Sequence, residues 1–179
     1  PMSARRQRQM CIRDRRKEVS IFFSDIRSFT TLSEMYDPEL IISQLNEYLD
    51  VMTHSIFQCN GTLDKYVGDE IRAIWGAPID DPDHALKAVH CGWKQLELLK
   101  QLHETWQMKN KPLFDIGIGI NTGEVIVGNI GSTIMKDYTV IGDHVNYAAR
   151  LEGVTRQFST DDHVCRFIIS HTTYAAVKD

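Results

Sequence analysis

The chain has 179 residues, of which 42% are hydrophobic and 25% charged, as is ordinary for a single globular domain. Seven of the 20 basic residues fall within residues 1–17, so the remainder carries 13 basic and 23 acidic side chains. This acidic body does not indicate a nucleic-acid or membrane surface, and no apolar run approaches the roughly 20 residues that span a bilayer. We expect a cytoplasmic domain without membrane insertion, although regions outside it could attach a longer protein to a membrane.

The N-terminal segment and the cysteines carry little chemistry. Residues 1–17 lack apolar periodicity, so we expect a disordered or non-native segment and place the folded domain at residues 18–179. The four cysteines are widely spaced without a CxxC pair, which favours reduced thiols. His163, Cys165 and His171 lack a fourth ligand at the spacing of a zinc site.

Apolar runs bounded by turn residues predict strands, and apolar residues three and four apart predict helices. Asp37-Pro38 and Asp81-Pro82 resemble helix starts, because Asp caps a first turn and Pro fits its first position. The predicted elements are strands at 19–23, 62–67, 71–75, 114–120, 124–130, 138–141 and 167–170, and helices at 27–35, from 37 to the stop at 60–61, from 81 to the stop at 110–112, at 143–152 and from 172 onward.

This order predicts an α+β fold. Helices fall in blocks between hairpins, so the sheet should be mostly antiparallel with helices packed on it. Asn121-Thr122-Gly123 is expected to be a hairpin turn, as is Gly68-Asp69. The GxGxxxG pattern at 117–123 differs from the dinucleotide-binding pattern, so we expect its small residues to allow close strand packing.

Two aspartates suggest metal chemistry. Asp25 follows the apolar run at 21–23, and Asp69 lies in the predicted Gly-Asp turn. Turns of neighbouring strands meet at one sheet edge, where two carboxylates repel unless a cation lies between them. Oxygen ligands suit Mg²⁺ or Mn²⁺, although such an aspartate is also a common turn residue.

Two further groups suit phosphate and sugar. Residues 26–30 would offer free backbone N–H groups at a helix start, which is an arrangement that binds anions. Metal ligands beside a phosphate cradle suggest a nucleoside triphosphate. Asn146 and Arg150 are four apart and share a helix face, where they suit a sugar oxygen and a phosphate. A solvated surface pair is the equally weighted alternative.

Three segments together resemble a known family. The segments "FFSDIRSFT", "GTLDKYVGDEI" and "DYTVIGDHVNYAARLEG" have the order and spacing of the catalytic domain of class III nucleotidyl cyclases, the adenylate and guanylate cyclases. The resemblance covers about residues 18–157. It implies a cyclase homology domain with a ferredoxin-like or polymerase-palm-like core.

The resemblance also implies a reaction. Asp25 and Asp69, with the carbonyl of Ile26, would bind two Mg²⁺ or Mn²⁺ ions, and the ribose 3′-hydroxyl of ATP would attack the α-phosphate in line as pyrophosphate leaves. Asn146 would orient the ribose, and Arg150 would stabilise charge on the α-phosphate. The implied phosphate contacts are Arg27, Ser28, Phe29, Thr30 and Lys136.

Base choice in this family falls to the positions of Lys65 and Thr139. Adenine offers an acceptor at N1 and a donor at N6, which Lys and Thr match, so the resemblance is to a bacterial-type adenylate cyclase. The family's sites lie between two subunits, with the aspartates from one chain and the base, ribose and α-phosphate contacts from the other. We therefore expect a homodimer with two equivalent sites.

Some positions depart from the family pattern. Ser28 replaces the usual glycine of the phosphate loop, and Arg72 lies at an often apolar position. Met135 stands where many bacterial relatives have an arginine, which the adjacent Lys136 would have to replace. The late strands of the family would lie beyond Asp179, so the domain is expected to be truncated at its C-terminus.

Three alternatives stay open. "VGDEI" resembles the GGDEF hairpin of diguanylate cyclases, which use GTP, but Lys65 and the Asn146–Arg150 pair favour class III. Guanylate cyclases usually have Glu at the position of Lys65. A degenerate domain that only dimerises or binds nucleotide is favoured by Met135 and the truncation, and is opposed by the intact aspartates, asparagine and arginine.

Overall fold

The computed structural model describes residues 15–132, 134–160 and 164–178. None of the helices in these ranges combines the length and the hydropathy that a membrane span requires. The elements in chain order are β1 (Arg15–Ile26), α1 (Phe29–Met35), α2 (Pro38–Gln58), β2 (Thr62–Val67), β3 (Glu70–Trp75), α3 (His84–Met108), β4 (Ile116–Gly131), β5 (Lys136–Ile141), α4 (Asp143–Val154), β6 (Phe167–Ile169) and α5 (His171–Val177).

The predicted α+β architecture is confirmed. The strands form one sheet in the order β2-β3-β1-β4-β5, and every neighbouring pair in this order is antiparallel. Among the described strands, the short β6 adds the one parallel pairing, against residues 118–120 of β4. Because β5 pairs with residues 126–131, β4 carries two different partners along the same edge.

The sheet separates two apolar clusters. Successive side chains of a strand point to opposite faces, so Phe22 and Ile26 of β1 pack into the cluster formed with α2 and α3. Ile21 and Phe23 point the other way, into a cluster that includes Ala148 of α4. The second face carries fewer helices than the first, and an open cavity remains beside α4.

The predicted hairpin turn at residues 121–123 is wrong. The backbone continues as strand through this segment, and Asn121 and Thr122 pair with Ile21 and Ser20 of β1. Their polar side chains are satisfied inside the protein, since Thr122 Oγ1 lies 2.8 Å from Ser20 Oγ. Turn-forming residue types therefore occur here in a buried strand, where side-chain hydrogen bonds replace contact with water.

The first strand is longer than predicted at both ends. It begins at Arg15, three residues before the predicted domain boundary, while residues 1–14 lie outside the described ranges. It ends at Ile26, so Asp25 is the penultimate residue of the strand and does not follow it. Asp25 is paired with Gly117, which fixes its backbone within the sheet.

Candidate active site

The end of β1 and the β2–β3 turn bring Asp25 and Asp69 together. The backbone N–H of Ile26 donates to Asp69 Oδ2 at 3.2 Å, so this carboxylate lies against the last residues of β1. Burial, followed by the negative charges of Asp69, Glu152 and Glu70, raises the pKa of Asp25 to about 7. The ends of these strands thus form an acidic edge, made by Asp25 and Asp69, at which a cation would relieve the repulsion between the two carboxylates.

The acidic edge suits a cation that also binds a substrate. Mg²⁺ in proteins usually takes one or two carboxylates and completes its shell with water and substrate phosphates. Across the described ranges, no group of three or more His, Cys, Asp or Glu side chains is arranged to hold a metal by itself. Asp25 and Asp69 could therefore hold metal ions whose other ligands come from the backbone, water and a phosphorylated substrate.

Two charged residues near Asp25 were missed by the sequence analysis. Arg156, just after α4, places Nη2 at 3.4 Å from Asp25 Oδ2. Glu152 of α4 is buried, and its Oε1 has no hydrogen-bond partner among the described residues. Burial raises the pKa of Glu152 to about 6, against a lowering effect of Arg156. The fold brings the end of α4 to the end of β1, and no local sequence pattern signals that proximity.

The start of α1, which is predicted to be a phosphate cradle, has no side-chain cap. Ser28 occupies the N-cap position, and its side chain makes no capping hydrogen bond, so the first N–H groups of the helix have no side-chain acceptor there. Ser28 and Thr30 are exposed, whereas the ring of Phe29 packs edge-on against Phe114 at a centroid distance of 6.0 Å. The backbone is thus anchored by Phe29 next to exposed polar residues.

Arg27 lies differently from its predicted phosphate contact. Its backbone N–H donates to the carbonyl of Asp115 at 2.7 Å. Its guanidinium donates to Ser159 Oγ at 3.0 Å and to the carbonyl of Cys165. The side chain is only 13% exposed. In this structure Arg27 fastens the segment after α4 to the end of β1 and presents no free cation to the cradle.

Replacement of Ser28 by glycine is expected to raise the free energy of unfolding by about 0.5 kcal/mol, since a left-handed backbone costs roughly 1 kcal/mol with a side chain and glycine recovers part of it. Ser28 adopts φ 55° and ψ 31°. Urea unfolding measures the difference. Ser28→Ala keeps the Cβ and loses a hydroxyl that makes no capping bond, so it is the matched control and should not be stabilised. An equal gain in both variants would contradict the backbone explanation.

A cavity of about 230 Å³ on the second face of the sheet is lined by both Lys65 and Thr139. These residues lie on β2 and β5, which are at opposite ends of the strand order, so the sheet must curve to bring them together. Asp64 also lines the cavity, and burial raises its pKa while the Thr139 hydroxyl and the charge of Lys65 lower it. Apolar walls come from residues such as Ile21 and Phe23.

Asn146 and Arg150 lie on the exposed side of α4. The hydrogen bonds and ion pairs of the described residues include neither side chain, so both are available to an external group. Lys136, the first residue of β5, is also exposed, as is Met135 beside it. The predicted polar contacts Asn146, Arg150 and Lys136 are thus all exposed.

The chain has clear relatives among known proteins. Residues 12–177 match the family described as the adenylate and guanylate cyclase catalytic domain. The chain belongs to this family. The predicted family membership is therefore confirmed, and the sheet and helices described above are those of a cyclase domain.

Individual relatives include both kinds of cyclase. Adenylate cyclase 1 of Rhizobium meliloti is 37% identical over 145 residues, which cover 81% of this chain and 22% of that protein. The crystal structure of the adenylyl cyclase CyaB from P. aeruginosa is 38% identical, with a TM-score of 0.85 over 94% of this chain and 84% of that chain. The guanylyl cyclase Cya2 is 37% identical, with a TM-score of 0.83 over 94% and 82% of the two chains. The cyclase domain thus spans about a fifth of the length of the Rhizobium relative.

One departure from the family pattern has a structural explanation. Arg72 of the cyclase domain lines the cavity that Lys65 and Thr139 share. Its guanidinium lies 5.0 Å from the ring centroid of Phe23, and its Nε pairs with Glu70 Oε1 at 2.5 Å. Because its guanidinium interacts with both an aromatic ring and a carboxylate, Arg72 can occupy a position whose surroundings are largely apolar.

Proposed function

We propose that this cyclase domain converts ATP to 3′,5′-cyclic AMP and pyrophosphate in signal transduction. The main observation in favour of this proposal is that Lys65 and Thr139 line the same cavity. A lysine donates to adenine N1, and a threonine hydroxyl accepts from the N6 amine. Guanine presents a donor at N1 and an acceptor at O6, so the same pair would meet the wrong groups.

Metal ions would bind at the acidic edge. We propose that Asp25 and Asp69, with the carbonyl of Ile26, hold two Mg²⁺ or Mn²⁺ ions. When bound, the ions supply charge neutralisation and Lewis acidity at the triphosphate. The raised pKa of Asp25 supports this assignment, because a site that disfavours two negative charges gains free energy when a cation neutralises them.

The remaining roles fall to groups of the chain itself. Asn146 orients the ribose, and Arg150 stabilises the charge that develops on the α-phosphate during in-line attack by the 3′-hydroxyl. The backbone at Ser28, Phe29 and Thr30 receives phosphate oxygens. Lys136, exposed at the start of β5, adds a positive charge at the triphosphate.

The site would be completed in a homodimer. Neither aspartate lines the cavity of Lys65 and Thr139, and Asn146 and Arg150 face outward on α4. A two-fold symmetric pair can join the aspartates of one chain to the base, ribose and phosphate contacts of its partner, which gives two equivalent sites. A separate chain would then lack half of each site.

The direct test is an assay with Mn²⁺ and either ATP or GTP, on this chain and on the chain extended beyond Asp179. Cyclic AMP from ATP is the expected product. Cyclic GMP as the main product would overturn the assignment of Lys65 and Thr139. Failure of both nucleotides with both chains would favour a domain that only dimerises or binds nucleotide.

Replacement of Lys65 by glutamate is expected to lower the ATP-to-GTP ratio of kcat/KM by about 100-fold or more, because a carboxylate accepts from guanine N1–H and repels the N1 lone pair of adenine. Both ratios come from initial rates of cyclic nucleotide formation. Lys100→Glu makes the same charge change at an exposed position of α3 and should leave the ratio unchanged. An unchanged ratio in Lys65→Glu would remove Lys65 from base recognition.

A further inference from the structure

Helix α4, which carries Asn146 and Arg150, lies directly on the backbone of β4. A Cβ atom added at Gly119 would lie 2.2 Å from the backbone N of Glu152 and 2.6 Å from the carbonyl O of Ala148. One added at Gly123 would lie 2.4 Å from the ring of His144. The glycines of the GxGxxxG pattern therefore create room for a helix, whereas the sequence suggested close strand packing.

A glycine surface allows close approach but sets no position along the strand. It has no side chains that interlock with the helix, whereas helices normally pack by fitting ridges of side chains into grooves. Residues 117, 119, 121 and 123 share one face of β4 because side chains alternate along a strand. Three of them are glycines, so Asn121 is the one residue of this row with a side chain beyond Cα.

Asn121 is hydrogen-bonded to the first turn of α4. The residue is 1% exposed. The Nδ2 group donates to the carbonyl of His144 at 2.9 Å and lies 3.2 Å from His144 Nδ1, while Oδ1 accepts from the Thr172 hydroxyl at 3.1 Å. In the described ranges, the two contacts with His144 are the hydrogen bonds that join β4 to residues of α4. The side-chain amide of Asn121 is therefore bonded to α4 through its nitrogen and to α5 through its oxygen.

We propose that Asn121 is a positioning residue for the reaction, which sets the place of α4 on its glycine surface and thereby the places of Asn146 and Arg150. The proposal rests on the proposed cyclase function. His144 is two residues before Asn146 and six before Arg150, so a movement of the first turn reaches both groups through a rigid helix. A misplacement of about 1 Å can cost about 100-fold in rate.

The test compares Asn121→Leu with Thr172→Val. Leucine has a similar size and removes the bonds to both helices. Thr172→Val removes the bond from α5 to Asn121, together with the contacts of the same hydroxyl with the Thr122 carbonyl and the Ser170 hydroxyl, and leaves the two contacts with His144. We expect Asn121→Leu to lower kcat by about 10- to 100-fold with little change in KM for ATP, and to speed hydrogen exchange at the backbone amides of α4. Thr172→Val should keep kcat within about threefold of wild type and leave exchange in α4 unchanged.

Asn121→Ser, which also lacks the amide donors, replaces Asn121→Leu if the leucine variant does not fold. Equal losses of kcat in the Asn121 and Thr172 variants would show a general effect of stability and overturn the proposal, as would unchanged exchange in α4. A wild-type protein that forms no cyclic nucleotide would instead overturn the proposed function. In that case exchange still decides whether Asn121 holds α4 in place.

Discussion

Replacement of Asp25 by asparagine is expected to abolish cyclic nucleotide formation and to stabilise the metal-free protein. Asparagine cannot offer the negative oxygens that hold a divalent cation, so kcat/KM should fall by about 10³-fold or more. The same change removes a carboxylate whose ionisation is opposed by burial and by Asp69. Like charges that are brought together at an active site commonly lower the stability of the folded protein.

The stability gain should depend on pH. Asp25 has a pKa of about 7 in the folded protein, against about 3.9 in an unfolded chain. Between these values the folded state binds the extra proton, so this group makes the protein less stable as the pH rises from about 4 to about 7. The difference in melting temperature between Asp25→Asn and wild type should therefore be small near pH 4 and largest above pH 7.

Thermal unfolding in the presence of a chelator measures this difference, and addition of Mn²⁺ tests the metal site without an activity assay. Mn²⁺ should raise the melting temperature of wild type and should have little effect on Asp25→Asn, because ligands stabilise only the state that binds them. Asp50→Asn makes the same substitution at an exposed position of α2 and serves as the control. Equal stabilisation of Asp25→Asn and wild type by Mn²⁺ would remove Asp25 from the metal site.

The sequence predicted best where local residues decide the structure. Gly68, with φ 66°, and Asp69 do form a turn between two short strands, because glycine adopts this backbone without strain. Asn121-Thr122-Gly123 has equally turn-like residues and failed as a prediction. Its conformation is decided by pairing with β1 and by hydrogen bonds to distant helices, which a local pattern does not contain.

The same distinction applies to the candidate site. The proximity of Asp25 and Asp69 could be predicted, because each lies near the end of a strand at one edge of a sheet. The positions of Glu152 and Arg156 could not, since they depend on how α4 crosses β4. Arg27 shows a different limit: it lies in the segment predicted to bind phosphate, but its side chain is directed to Ser159 and Asp115.

Mixing two inactive variants is expected to restore activity. Asp25→Asn lacks a metal ligand but keeps Arg150, and Arg150→Ala lacks the phosphate contact but keeps both aspartates. In a heterodimer of these chains, one of the two sites combines the intact halves and the other combines both defects. Random association of equal amounts gives heterodimers in half of the dimers, so the mixture should reach about a quarter of wild-type activity per chain.

A matched mixture distinguishes a shared site from a non-specific effect. Asp25→Asn and Asp69→Asn both damage the half that contributes metal ligands, so every site in their mixture remains defective and no activity should return. Size-exclusion chromatography with light scattering must show dimers in both mixtures. If Asp25→Asn and Arg150→Ala form dimers without regaining activity, each chain uses its own aspartates and its own Arg150, and the proposed exchange of residues across the interface is wrong. Recovery in that mixture alone would assign the two halves of the site to different chains, since the two mixtures differ only in which half carries the second defect.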